Sequence, residues 1–465
     1  MDLIRTSATD LLSAISAGRL TATELMRTTL DRIEKVNGEV NAIVALRQAD
    51  ELMAEAEAMD AGPRQGPLHG LPIAVKDLVN VAGIASTQGS SIFRDFVPKS
   101  DDLIAARMRA AGAILVGKTN VPEFGLGSHT FNPVYGATCN PYDGSRSSGG
   151  SSGGAAAALA AGMTALADGS DMMGSLRNPA AWNNVYGFRP SWGRVPSEPV
   201  GDTFLHQLST LGPMARSPED LGLLLDVISG PDPRQPHPHV STPVSPVRPS
   251  EPKGLRIGWL GDWDGAFPME PGILSLCEDA LAVFRELGCQ VEHIAPPFDA
   301  ERIWESWITL RSWSVATGLS PLIEKKAMLK DSAQWELDRG LALSAMAVHH
   351  ASVTRSAWFR RAAALFEEYD ALVLPAAQVW PFDVSLPYPN EIAGSAMDTY
   401  HRWMQVVVPV SLLGLPCLAA PAGFGGGGLP MGIQIFGPRG SDAMLLSLGA
   451  AYHARTKWPQ RRPAM

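Results

Sequence analysis

The chain predicts an α/β fold, and three features of the sequence point to it. Short apolar runs at 71–75 (LPIAV) and 113–116 (AILV) alternate with a helical segment at 102–111. The alanine-rich run 155–161 follows directly on glycines, which makes a good helix start. Hydrophobic residues make up 45% and charged residues 18% of the chain, with 45 Gly and 37 Pro. That composition belongs to a well-buried, turn-rich globular protein and excludes a disordered one. The length of 465 residues admits one large domain or several ordinary ones.

Residues 8–60 read as helices. Leu11, Leu12 and Ile15 recur at helical spacing, and Thr23 is the expected N-cap of the helix that follows. The run 71–75 reads as a buried strand that delivers Lys76 at its end. Residues 230–253 are Pro-rich with little apolar periodicity and read as a linker or surface strap. Beyond it, 255–260 reads as a strand and 273–287 as an amphipathic helix. Residues 301–365 read as helical and hold five of the 12 tryptophans: Trp304, Trp307, Trp313, Trp335 and Trp358. Residues 371–375 and 432–436 read as strands returning to the core. The apolar stretch 406–415 falls short of the roughly 18 residues of a membrane span and reads as core. There is no internal repeat.

Composition also excludes function classes. The formal charge of −9 and a pI near 5.6 argue against a nucleic-acid partner. Cys139, Cys277, Cys289 and Cys417 form no CxxC pair, which points to reduced thiols and a cytoplasmic setting. The first residues, MDLIRTSATD, lack the apolar core of a signal peptide. The ten histidines show no metal-ligand spacing, so no metal is expected. The run from Gly112 to Thr119 fits a phosphate-loop pattern formally. Its four middle residues are apolar and β-prone, so it reads as a strand with no cradle of free N–H groups.

The chemistry lies in residues 149–179. Ser151 and Ser152 form one serine cluster and Ser175 a second, each packed in glycine, where N–H groups can face a ligand unobstructed. Lys76 lies 75 residues upstream of Ser151. A lysine and two serines in glycine-rich turns can make an acyl-transfer site without histidine. An exposed lysine, with a reference pKa of about 10.4, is protonated at neutral pH and useless as a base. The apolar flanks of Lys76 suggest burial, which lowers a lysine's pKa. Two readings of the segment stand: a buried salt bridge with Asp77, or a catalytic base. The serine clusters favour the base.

These motifs resemble the amidase signature family of serine hydrolases. The likeness runs from the opening helical segment through GLPIAVKDLVNVAG (70–83), VGKTNVPEFGLGS (116–128), SSGGSSGGAAAALAAG (147–162) and GSDMMGSLRNPAA (169–181). It continues through YGFRPSWGRVP (186–196) and GLPMGIQIFGP (428–438). The resemblance implies a large, mixed and largely parallel central sheet wrapped in helices. It implies one domain over 1–465, with 231–370 as a variable cap that supplies the substrate pocket. It implies Ser175 as nucleophile, Ser151 as bridging serine after a cis Gly150–Ser151 bond, and Lys76 as base. Ser152, Ser148, Asp171 and Arg177 are expected to brace the site. The N–H groups of Met172, Met173 and Gly174, with that of Ser175, are the expected oxyanion hole. Two positions depart from the family pattern. Met173 stands where glycine is usual, which puts a Cβ and a thioether at the oxyanion loop, and Ser148 stands where proline is usual.

The expected activity is hydrolysis of an amide C–N bond through an acyl-enzyme, with no cofactor, by an aryl-acylamidase-like or urethanase-like member. Tryptophan in the cap and methionine at the nucleophile favour a hydrophobic or aryl amide, with carbamates and esters as related substrates. Trp304 and Trp307, on one helical face with Arg311, read either as an aromatic pocket lining or as plain packing. Two alternatives remain: the amidase subunit of a tRNA-dependent amidotransferase, and a catalytically idle scaffold. A homodimer is a family-level expectation.

Overall fold

The computed structural model describes residues 2–205 and 207–465. Eleven strands form one sheet: β1 (Ile43–Val44), β2 (Pro72–Lys76), β3 (Ile114–Thr119), β4 (Leu166–Asp171), β5 (Tyr186–Arg189), β6 (Thr210–Ala215), β7 (Arg256–Trp259), β8 (Gln290–His293), β9 (Ala371–Pro375), β10 (Cys417–Phe424) and β11 (Pro430–Phe436). Their order across the sheet is β1-β3-β2-β4-β6-β5-β10-β11-β9-β7-β8.

Among the described residues thirteen α-helices surround it: α1 (Ala8–Ser16), α2 (Ala22–Val40), α3 (Ala49–Ala61), α4 (Leu103–Ala110), α5 (Gly153–Ala160), α6 (Asn178–Trp182), α7 (Pro218–Ile228), α8 (Ile273–Glu286), α9 (Ala300–Leu319), α10 (Asp331–Leu341), α11 (Ala345–Leu365), α12 (Val408–Leu413) and α13 (Asp442–Thr456). None is long and apolar enough to cross a membrane.

The sheet is mixed rather than largely parallel: four of its ten pairings are parallel and six antiparallel. Connection length explains this. Parallel β2 and β3 are joined by a crossover through α4, whereas antiparallel β10 and β11 are joined by a short glycine-rich loop. Residues 231–370 contribute β7 and β8 to this sheet as well as α8–α11.

The cap of α2 corrects one expectation. Thr21, not Thr23, is the N-cap: its hydroxyl accepts from the Glu24 N–H at 3.0 Å, and Glu24 accepts from the Thr21 N–H at 2.9 Å. Only Thr21 lies three residues before a glutamate, the register this reciprocal pair requires. The helical region 301–365 divides into α9, α10 and α11 around a 3₁₀ segment, Ser320–Met328, that begins next to Pro321.

Lys118, the lysine of the phosphate-loop pattern, sits inside β3 and donates to the Val79 carbonyl. Helix α5 follows the first serine cluster and is buried at every residue. It can pass so close to its neighbours because its side chains are small. A Cβ on Gly154 would lie 2.3 Å from the Asn120 nitrogen and 2.7 Å from the Ala42 carbonyl oxygen. In an exposed helix Gly→Ala is worth about 1 kcal/mol of added stability. At Gly154 the backbone contact outweighs that gain, so Gly154→Ala should lower the melting temperature, measured by circular dichroism.

Candidate active site

Strand β2 ends at Lys76, whose side chain is 0% exposed. Its amine donates to Ser151 Oγ at 2.9 Å, Ser152 Oγ at 2.8 Å and Ser170 Oγ at 3.0 Å. Lys76 forms no ion pair within 4.0 Å among the described residues. Asp77 instead faces Lys118 at 3.8 Å and accepts from the Thr87 hydroxyl at 2.6 Å. The salt-bridge reading of Lys76 with Asp77 is therefore set aside. Alternation along the strand separates the two side chains.

Burial lowers the Lys76 pKa to about 7, against the opposing pull of Asp168 and Asp171. Asp168 lies on β4, where its carboxylate accepts the Lys76 backbone N–H at 2.8 Å. Burial pushes the Asp168 carboxyl up, which weakens it as a counter-ion. Lys76 is thus an amine held among hydroxyls, with a proton affinity suited to exchange near neutrality.

The Gly150–Ser151 peptide is cis, as the resemblance implied. Ser128 Oγ donates to the Gly150 carbonyl at 2.6 Å, and Ser148 Oγ to the Thr138 carbonyl at 3.1 Å.

The second serine cluster is tied to Asp171, at the end of β4. This carboxylate accepts from the Gly174 and Leu176 N–H groups at 2.9 and 3.1 Å. It also accepts from Arg177 Nε at 3.0 Å, Arg177 Nη2 at 2.9 Å and Arg189 Nη1 at 3.2 Å. Burial pushes the Asp171 carboxyl up. Arg177 and Arg189 outweigh that, and they hold it well below the usual range. Arg177 also donates to the Val407 carbonyl, Gln434 Oε1 and Ser411 Oγ at 2.9, 2.6 and 2.7 Å.

Gly174, expected as an oxyanion donor, directs its N–H to Asp171 instead. The N–H groups of Met172, Met173 and Ser175 have no acceptor among the described residues. Met173 carries no positive φ. The left-handed step falls on Gly174 at φ +78°, where a Cβ would come within 3.0 Å of the Val407 side chain.

Ser175 is 7% exposed and opens, with Ser151, Ser170, Met172 and Met173, into a cavity of about 260 Å³. The other walls include Leu78, Phe124, Leu126, Val315, Leu319 and Met404. No hydrogen bond joins Ser175 Oγ to Ser151 in this structure. Such contacts tighten in substrate complexes. Trp304 and Trp307 do not line this cavity. They are buried against each other and His401, with ring centroids 5.5 Å apart, so packing is their role. Arg311, one turn on from Trp307, does reach the cavity. Among the described residues no cluster of three or more His, Cys, Asp or Glu is arranged to hold a metal ion.

Sequence reasoning missed three site residues: Asp168, Ser170 and Arg189. The triplet GSD at 169–171 signals Ser170 by its place beside Asp171, and Arg189 lies in the motif YGFRPSWGRVP.

A profile of the Amidase family matches residues 24–446. The chain belongs to the amidase signature family. This amidase-family chain is 32% identical over 469 residues to an acylamidase of Rhodococcus erythropolis, covering 98% of this chain and 97% of that protein. It is 34% identical over 477 residues to a glutamyl-tRNA(Gln) amidotransferase subunit of Thermus thermophilus, with 97% of each covered. Among solved structures it is similar to a bacterial aryl acylamidase of the amidase signature family, with a TM-score of 0.91 and 28% identity. That match covers 98% of this chain and 97% of the other. A 6-aminohexanoate cyclic dimer hydrolase gives a TM-score of 0.88 at 26% identity, covering 100% and 99%. This amidase-family protein is a hydrolase that acts on amide C–N bonds.

The Asp171 cluster yields a stability prediction. Asp171→Asn leaves two buried guanidiniums without their anion and should cost about 3–5 kcal/mol. Denaturant unfolding measures the loss. An unfolding midpoint equal to wild type would contradict the brace.

Proposed function

We propose that the enzyme forms an acyl-enzyme on Ser175. The observation that carries this is the buried Lys76 amine, 2.9 Å from Ser151 Oγ, with Ser151 itself opening into the same cavity as Ser175. Neutral Lys76 takes the Ser151 proton while Ser151 takes the Ser175 proton and Ser175 Oγ bonds to the substrate carbonyl carbon. The oxyanion rests on the N–H groups of Met172, Met173 and Ser175, fixed donors that work without reorganising. Ser151 then protonates the leaving nitrogen as the C–N bond breaks and recovers its proton from Lys76. Water attacks the acyl-enzyme by the same relay and frees the acid and Ser175.

The cavity's size and its apolar walls support a hydrophobic or aryl amide of modest size. The names of the acylamidase and aryl acylamidase relatives support the same class. Carbamates and esters share the acyl carbon and are the next substrates to test. Four unpaired cysteines support a reducing, cytoplasmic setting. The full-length likeness to glutamyl-tRNA(Gln) amidotransferase subunits favours one second reading, a subunit that works only with a partner. Turnover by the purified chain alone separates the two.

The wild type should release 4-nitroaniline from 4-nitroacetanilide, and Ser175→Ala should reduce kcat/KM by at least about 10⁴-fold. Retained turnover in that variant would remove Ser175 as nucleophile. The acid limb of kcat/KM should rise with pH and reach half its maximum near 7, because only neutral Lys76 accepts a proton. A Lys76→Ala enzyme with the wild-type rate would remove Lys76 as base.

A further inference from the structure

We propose that Arg311 is a specificity-determining residue that selects amides carrying a second, neutral hydrogen-bond acceptor, such as a ketone or ester oxygen. The proposal rests on the amidase reading of the Ser175 cavity and names its substrate class more closely.

Arg311 projects from α9 into that cavity, beside Met172, with its side chain 4% exposed. Its guanidinium is clamped. Nε donates to Glu336 Oε1 at 2.6 Å and Nη2 to the Tyr400 hydroxyl at 2.9 Å. Its carbon lies 5.2 Å from the centre of the Trp307 ring. Glu336 is itself fixed, accepting from Tyr400 at 2.8 Å and from Ser312 Oγ at 2.7 Å. The fork therefore holds one orientation before substrate arrives, which lowers the entropic cost of binding.

A guanidinium has five N–H donors. Two of them meet oxygen. A third meets only the Met172 thioether, at 3.3 Å, which is a weak acceptor. The remaining two have no acceptor among the described residues. Buried donors without partners are costly, so an oxygen brought by the substrate gains more here than at an open surface.

Charge decides what kind of oxygen. Glu336 already balances Arg311. A carboxylate would add an uncompensated negative charge to the cavity and favour the protonated, inactive form of Lys76. A neutral acceptor completes the fork without that penalty.

The test uses two matched substrate pairs: the 4-nitroanilides of pentanoic and 4-oxopentanoic acid, and the acetamides of 4-ethylaniline and 4-acetylaniline. Each preference is the ratio of kcat/KM within a pair, compared between wild type and variant so that intrinsic reactivity cancels. The variants are Arg311→Lys, which keeps a cation beside Glu336, and the double variant Arg311→Met with Glu336→Gln, which removes both charges. The preference for the acceptor-bearing member in at least one pair should fall by about 10-fold or more in the variants. An unchanged preference in a folded variant overturns the proposal, as does the absence of preference in both pairs. Faster turnover of succinic acid mono-4-nitroanilide than of the ketone overturns the neutral assignment.

Calorimetric binding of 4-oxopentananilide to Ser175→Ala protein reads Arg311 without turnover, so a failure of the catalytic reading stays separate. Affinity about 10-fold weaker after adding Arg311→Lys supports the proposal, and equal affinity overturns it.

Discussion

The site depends on one desolvated amine. Lys76 is buried with no ion pair at its amine among the described residues, and its shortest hydrogen bonds go to three serine hydroxyls, with the Ser170 carbonyl farther off at 3.4 Å. Water stabilises an ammonium, and three hydroxyls replace that hydration only in part. Bringing the amine from 10.5 to about 7 corresponds to roughly 5 kcal/mol in favour of its neutral form. The fold supplies that environment by placing β2 between β3 and β4, deep in the sheet. Asp168 on β4 comes close, yet it uses an oxygen on the Lys76 backbone N–H and leaves the amine unpaired.

The Ser175 side obeys the opposite rule. There the charges are buried and fully paired. Asp171 joins two arginines to the Gly174 and Leu176 amides, so the loop that carries Ser175 is anchored from beneath. Arg177 extends the anchor to Gln434 and Ser411 on distant segments. The Gly174 amide is used for this brace, whereas the Met172, Met173 and Ser175 amides, on residues that line the cavity, have no acceptor among the described residues. The departure at Met173 costs no backbone strain, because the left-handed residue is its glycine neighbour.

Much of this was legible in the sequence where local pattern and chemistry agree. The apolar flanks of Lys76 signalled its burial, and the two glycine-packed serine clusters pointed to Ser151 and Ser175, which line one cavity. Other features needed the fold. Strand β4, LADGSD, holds glycine, serine and two aspartates and reads locally as a loop. It becomes a strand because β2 and β6 flank it in the interior of the sheet. Asp168 and Ser170 were missed with it. Arg189 finds Asp171 only through tertiary packing. Helical spacing put Trp304, Trp307 and Arg311 on one face, but only packing against His401 turned the tryptophans into core and left Arg311 at the cavity. Thr21 was readable all along from the glutamate three residues later.

The most direct test of the central claim is the ionisation of Lys76 itself. Lysine labelled with ¹³C at Cε, assigned by comparison with Lys76→Ala, reports its charge by NMR as pH is varied. The account predicts a midpoint near 7, with the neutral amine dominant above it. A midpoint close to the ordinary value of about 10.4 would mean a charged lysine at neutral pH, and it would contradict a base held neutral by burial.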